Sequence, residues 1–223
     1  MRLAGDPDEK GKLVPRSNNT VRLELALLSH LFTVAIKEWG LGLPFNPVAQ
    51  IRRPAPGAGR NRRLTPAENK RLLAAVDAYS NPMFSWIVRI ALETGMRLSE
   101  ISGLRLHQVD MEKRVVRLDI TKNSSPRTVP LTKAATAAFQ AAIENPVRPT
   151  ETDLVFFGEP GQDGVRRPYL FDKAWTDAKK AAGLTDFRFH DLRHEAVSRL
   201  VEAGLSDQEV AAISGHKSMQ MLK

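Results

Sequence analysis

His190, Arg193 and His194 lie within five positions of one another in FHDLRHEAVSRL, residues 189–200, at the mouth of what reads as an amphipathic helix. Those residue types at that spacing admit three chemistries. Two imidazoles four residues apart stack on one helix face and could ligate zinc, with Asp191 or Glu195 as a third ligand. The HExxH order is absent, however, and Arg193 between the histidines would set a permanent cation beside a divalent one at a Coulomb cost. An anion suits the residues better: Arg193 offers a planar fork to phosphate oxygens, and His190 can give or take a proton near neutral pH. The plainest reading makes His190 and Asp191 helix-entry residues and nothing more.

A second arginine in a similar setting weighs toward the anion. In ETGMRLSEISGLR, Arg97 follows Gly95, which ends an apolar helix, and precedes Ser99 and Glu100 on a short helical turn. Two arginines held at helix boundaries can converge on one phosphate.

Helices must do most of the positioning. Val21, Leu25, Leu28, Phe32, Ala35 and Trp39 repeat at helical spacing, which predicts a helix over 20–39 after a polar leader over residues 1–19. RRPAPGAGRNRR, residues 52–63, combines Pro, Gly and five arginines and reads as a linker, either solvated or riding on a phosphate backbone. Thr65-Pro-Ala-Glu68 is a capping box with Pro at the first helical position, Asn81-Pro82 repeats the start signal, and Gly95 ends the second helix. Val116, Leu118 and Ile120 alternate with polar residues before TKNSSP turns the chain into RTVPL, which predicts a β-hairpin with Lys122 at its tip or shoulder. Thr132 caps a helix to about Glu144, LVFF is a short apolar piece, residues 168–182 form a helix ending at Gly183, and helix resumes from Leu192. Ser206 to Glu209 is another capping box, and Gly215 ends that helix with His216 just outside. The fold class is therefore α+β, mostly helical, with a small antiparallel sheet.

Composition sets the boundary conditions. Thirty-three Lys and Arg against twenty-five Asp and Glu give a net charge of +8, which favours a polyanionic partner, nucleic acid ahead of an anionic membrane surface. Zero cysteines remove disulfides, thiol catalysis and thiolate metal sites. No apolar run nears the roughly 20 residues that span a bilayer, and the first residues lack the apolar core of a signal peptide, so the expected location is cytoplasmic.

Arg97 in TGMRLSE, Lys122 in TKNSSPRTVPL, His190 and Arg193 in HDLRH, and Gly215-His216 in SGH, in that order, closely resemble the tyrosine recombinases of the phage-integrase branch. The resemblance runs from about Arg62 to Lys223. It implies a catalytic domain over 64–223, a linker over 52–63, and, over 1–51, a leader and the last helix of a truncated core-binding domain. It also implies a site-specific DNA recombinase working through a 3′-phosphotyrosine without metal or other cofactor, on duplex DNA attachment sites and with other protomers. Arg97 and Arg193 would clamp the phosphate, Lys122 would protonate the 5′ oxygen, His190 would act as acid or base toward the nucleophile, and His216 would hydrogen-bond a phosphate oxygen. Glu100 would buttress Arg97 or His190, and Arg60, Arg62, Arg63 and Arg127 are the expected further DNA contacts. His194 is assigned to packing or orientation, and His30 and His107 to no role in the site.

The departure from the family pattern concerns the nucleophile, whose tyrosine is expected a short helix beyond the Gly-His pair, past Lys223. Tyr79 and Tyr169 are the tyrosines present, and their surroundings read as packing. The rival readings are a degenerate remnant and a non-catalytic DNA-binding regulator, since LSDQEVAAISGHKSMQML also has a helix-turn-helix layout.

Overall fold

The structure, a computed structural model, describes residues 15–57, 59–119 and 126–216. They fall into two compact units, Met1–Arg60 and Asn61–Lys223. No helix among the described residues is long and apolar enough to cross a membrane.

In the first unit, α1 (Asn18–Lys37) starts two residues before Thr20, because the Ser17 hydroxyl accepts from the Thr20 N–H and makes Ser17 the cap. Asn46 then caps a 3-10 turn, Pro47–Gln50, and its amide donates to the Ser29 carbonyl at 2.8 Å, which folds this turn onto α1. Part of the predicted linker also lies along α1: Arg22 donates to the Pro54 carbonyl, and the Gly57 N–H to Asn19.

The second unit is built around one apolar helix. α2 (Pro66–Asp77) opens on the predicted capping box, and α3 (Pro82–Thr94) on Asn81, whose side chain accepts from the Met83 N–H. Phe84, Ile87, Val88, Ile90 and Ala91 on α3 are all buried, at about 1.5–3 kcal/mol for each large side chain removed from water. α3 packs between α5 (Lys133–Ile143) and α7 (Phe189–Glu202), while α2 packs on α6 (Asp172–Ala181). Gly95 caps α3 at φ +62°, a conformation an L side chain resists, and the chain then turns into the short α4 (Leu98–Ser102).

The predicted hairpin is part of a three-stranded antiparallel sheet in the order β1 (Val109–Asp110), β2 (Val115–Leu118), β3 (Arg127–Pro130). Val116 pairs with Val129, and Leu118 with Arg127. Ile120 and the turn carrying Lys122 lie outside the described residues. A second hairpin, β4 (Phe157–Pro160) with β5 (Arg166–Pro168), was not legible in the residues after LVFF, and it delays α6 to Asp172.

α7 begins at Phe189, earlier than the expected Leu192, and an aromatic ladder explains why. Phe84, Phe171, Phe189, Trp175 and Phe187 follow one another at centroid distances of 5.5, 5.3, 5.2 and 6.2 Å. Phe189 is thereby seated on Phe171 and Trp175, and Phe187 on Trp175 of α6, and Asp191 accepts from the Arg188 N–H at 2.8 Å to cap the first turn. α8 (Asp207–Ser214), with its Ser206 capping box, packs on β3 and α7 and ends at Gly215, φ +74°.

Candidate active site

Where α3, α4, β3, α7 and α8 meet, three guanidinium groups gather around one carboxylate. Glu100 is buried in α4 and receives the Arg97 backbone N–H at 2.8 Å and Arg97 Nη1 at 2.9 Å. Arg127 adds both its terminal nitrogens to Glu100, at 2.9 and 2.6 Å, and donates Nε to the Ile213 carbonyl at 3.0 Å. Burial pushes the Glu100 carboxyl up, but the bonds from Arg127 and Arg97 outweigh it and hold its pKa below the usual carboxylate value. One carboxylate cannot neutralise three guanidiniums, so the cluster carries an excess of positive charge.

Arg193, 3% exposed, projects from the second turn of α7 under the end of α3 and donates Nη1 to the Gly95 carbonyl at 2.6 Å. Gly95 serves twice here. Its positive φ ends α3 where a side chain would touch Ala196 at 3.4 Å, and its carbonyl fixes one arm of Arg193. Burial, then the fields of Arg97 and Arg127, push the Arg193 pKa down to about 10, which leaves it charged at neutral pH.

The two clamp candidates end on consecutive residues. Arg97 Nη2 donates to the Gly215 carbonyl at 3.2 Å, and Arg193 Nη2 lies 3.3 Å from His216 Nε2. His216 Nδ1 is 2.6 Å from the Ser214 hydroxyl. Burial first, then Arg193 and Arg97, lower the His216 pKa to about 4, so the ring is neutral at pH 7. His190 sits at the rim on the first turn of α7, its ring edge-to-face with His194 at 5.0 Å. Partial burial, His194 and Arg193 keep its pKa below the ordinary imidazole value. His194 thus packs its ring against His190.

The structure thus brings Arg97, Arg193 and His216 together with His190 at the rim, and Lys122 lies outside the described residues. Arg127 corrects an expectation. Expected on the DNA side of the hairpin, it is turned inward with its side chain 7% exposed. The signal was in the strand period: Arg127 precedes the buried Val129 by two and faces the buried Leu118, so it shares their face. Arg62 and Arg63 make ion pairs within the second unit, Arg63 with its side chain 43% exposed. Arg62 holds the carboxylate of Glu68, whose pKa falls to about 2, and Arg63 pairs with Glu195 and Glu202. Glu195, buried on α7, also takes Arg199 and the Leu64 N–H, which fastens the start of the unit to α7. Arg60 belongs to the first unit and is half-buried.

Tyr79 packs edge-on against Phe84 and Tyr169 stacks on Phe171, and no described hydrogen bond joins either to the arginine cluster. In the helix-turn-helix reading, α8 would be the first helix, but Val210 and Ser214 on it are buried and the second helix would fall outside the described residues.

Residues 62–223 match the model of the phage integrase family. The chain is 42% identical over 224 residues to the shufflon-specific DNA recombinase of Escherichia coli, covering 100% of this chain and 54% of that protein. It is 32% identical over 220 residues to the integrase of Salmonella phage P22, covering 94% and 54%. The chain thus spans about half the length of these curated relatives. Among solved structures, the Tn1549 transposon integrase in complex with a circular intermediate DNA superposes with a TM-score of 0.75 at 21% identity, over 93% of this chain and 74% of that one. A lambda integrase dimer bound to a COC′ core site gives 0.70 at 22%, over 92% and 72%. At that identity the likeness is one of fold.

Proposed function

This chain belongs to the phage integrase family, the tyrosine recombinases, and on that premise we propose that residues 61–223 bind a DNA phosphodiester and support its cleavage and rejoining by transesterification. One observation carries the reading: Arg97 and Arg193 come from different elements yet end on the neighbours Gly215 and His216, in a cluster with more positive than negative charge. A phosphodiester is the anion that such a pair suits. As a hydroxyl attacks phosphorus, charge grows on the non-bridging oxygens, and donors already in place stabilise that state without reorganising.

In this reading Arg97 and Arg193 hold the non-bridging oxygens, Glu100 and Arg127 keep Arg97 and the Gly215 turn in place, and His216 adds a hydrogen bond. His190, at the rim with a lowered pKa, exchanges a proton with the attacking hydroxyl. Lys122 is assigned by family resemblance as the acid for the 5′ oxygen. The attacking phenol is assigned to neither Tyr79 nor Tyr169. The first unit is read as the end of a core-binding domain, and attachment-site DNA and further protomers as the partners, by family resemblance alone.

The experiment is a titration of duplex DNA with the 223-residue protein across a salt series. Affinity should fall steeply with salt, because each phosphate neutralised releases counterions. Arg97→Ala and Arg193→Lys should weaken binding, and in any longer form that cleaves DNA, Arg193→Ala should slow cleavage by about 100–1000-fold. Binding indifferent to salt and to both substitutions would remove the reading.

A further inference from the structure

The hydrogen bonds around His216 determine where its proton sits. The Ser214 hydroxyl lies 2.6 Å from the Val210 carbonyl one turn back and 2.6 Å from His216 Nδ1. A carbonyl only accepts, so the single hydroxyl hydrogen goes to Val210 and Ser214 Oγ remains an acceptor toward the ring. His216 Nδ1 therefore carries hydrogen. On the other side of the ring, Arg193 Nη2 stands 3.3 Å from Nε2, and a guanidinium only donates, so Nε2 presents its lone pair. Ser214 is fully buried and Arg193 nearly so, which leaves water little room to replace either bond.

The surroundings discourage a second proton. Arg193, His194 and His190 on α7 and Arg97 at the start of α4 all act on His216 in that sense. Arg127 of β3 lies against the adjacent Gly215, and Glu100 is bonded to Arg97 and Arg127. A phosphate oxygen arriving at Nε2 would meet a lone pair.

Resting on the reading of this cluster as a phosphodiester site, we propose that Ser214 is a positioning residue that holds ligand-free His216 as the neutral Nδ1–H tautomer, and that phosphate entry loads one proton from solvent onto His216 Nε2. The step balances simply. Arg193 Nη2–H turns from the ring to a phosphate oxygen, water or buffer supplies one proton to Nε2, and the imidazolium donates that hydrogen to the phosphate while Nδ1–H stays on Ser214. No bond to phosphorus forms or breaks. The site thereby gains positive charge only when the anion is present, and binding tightens as pH falls through neutrality.

The test uses ¹⁵N-labelled 223-residue protein, with the His216 signals identified by their loss in His216→Gln. Long-range ¹H–¹⁵N correlations should show a protonated Nδ1 and a bare Nε2 in the ligand-free protein. Ser214→Thr, which keeps the hydroxyl, should retain that pattern, and Ser214→Ala should shift it toward the Nε2–H tautomer. A wild-type ring protonated at Nε2, or an unchanged pattern in Ser214→Ala, overturns the role given to Ser214. A second arm titrates duplex DNA calorimetrically near pH 7 in two buffers of different ionisation enthalpy. Wild type should take up about one proton more per bound site than His216→Gln. Equal uptake overturns the proton loading, whereas DNA that does not bind at all defeats the functional reading and leaves the tautomer measurement to judge Ser214.

Discussion

Arg127 places both terminal nitrogens on the carboxylate of Glu100, at 2.9 and 2.6 Å, and through that pair strand β3 is tied to the turn that carries Arg97. Its Nε on the Ile213 carbonyl extends the tie to the last turn of α8. A residue expected to contact DNA thus joins the two segments that deliver Arg97 and His216.

Removing one member of such a buried pair strands the other. Arg127→Ala should cost on the order of 3–5 kcal/mol, because Glu100 would lose its two-pronged partner and keep, among the described residues, Arg97 as its hydrogen-bonded cation. Arg127→Lys should recover part of that, since it restores the charge without the two-pronged geometry. Urea unfolding of the three proteins measures both costs, and an alanine variant within about 1 kcal/mol of wild type would show the pair to be incidental.

Gly215 meets Arg127 at close range. A Cβ there would stand 3.0 Å from the Arg127 guanidinium at a φ of +74°, so Gly215→Ala combines backbone strain of about 1–2 kcal/mol with displacement of Arg127. Gly95→Ala should show the strain with a smaller steric part, its contact with Ala196 being an ordinary 3.4 Å. Thermal melts should therefore rank Gly215→Ala below Gly95→Ala. In an Arg127→Ala background the gap should narrow, and a gap that persists there would locate the clash elsewhere.

Acid should weaken the fold in two stages. The unfolded chain protonates His216 near its ordinary value of 6.5, but the folded protein does so only near 4, so between those values the unfolded state holds more protons. The contribution of a neutral His216 is present above about pH 6.5 and is lost as pH falls through 4. The depressed carboxyls of Glu100, Glu195 and Glu68 contribute above their ordinary 4.5 and are lost at lower pH still. Urea midpoints taken from pH 7.5 to 3.5 should show His216→Gln flattening the upper stage only. An unchanged upper slope would mean that another group titrates there.

Tyr79 and Tyr169 belong to the aromatic packing around Phe84 and Phe171, where burial also raises the Tyr169 pKa and makes its phenolate harder to form. Tyr79→Phe and Tyr169→Phe, made in any longer form that forms a covalent DNA adduct, should leave the adduct intact on a denaturing gel. Loss of the band in either variant would reassign the nucleophile.

What the sequence by itself determined were the features whose free energy is local. Thr65 with Glu68, Asn81 before Pro82, Ser206 with Glu209, and the glycines at 95 and 215 state their helix boundaries within three or four residues, because a cap and a left-handed backbone need no distant partner. Arg97, His190, Arg193 and His216 could be named by type and order against a family pattern. Glu100, three residues from Arg97, was within reach of the sequence as its partner, but the distant partners of those charges were decided by the tertiary structure alone. Arg97 reaches Gly215 across 118 positions, Arg193 reaches Gly95 across 98, and Arg127 reaches Ile213 across 86 and Glu100 across 27. A guanidinium has many possible acceptors, and which one it takes depends on how α3, α7, α8 and the sheet pack. The inward turn of Arg127 and the proton on His216 Nδ1 follow from that packing, since only the assembled core puts Glu100 beside β3 and Arg193 beside the ring that Ser214 holds.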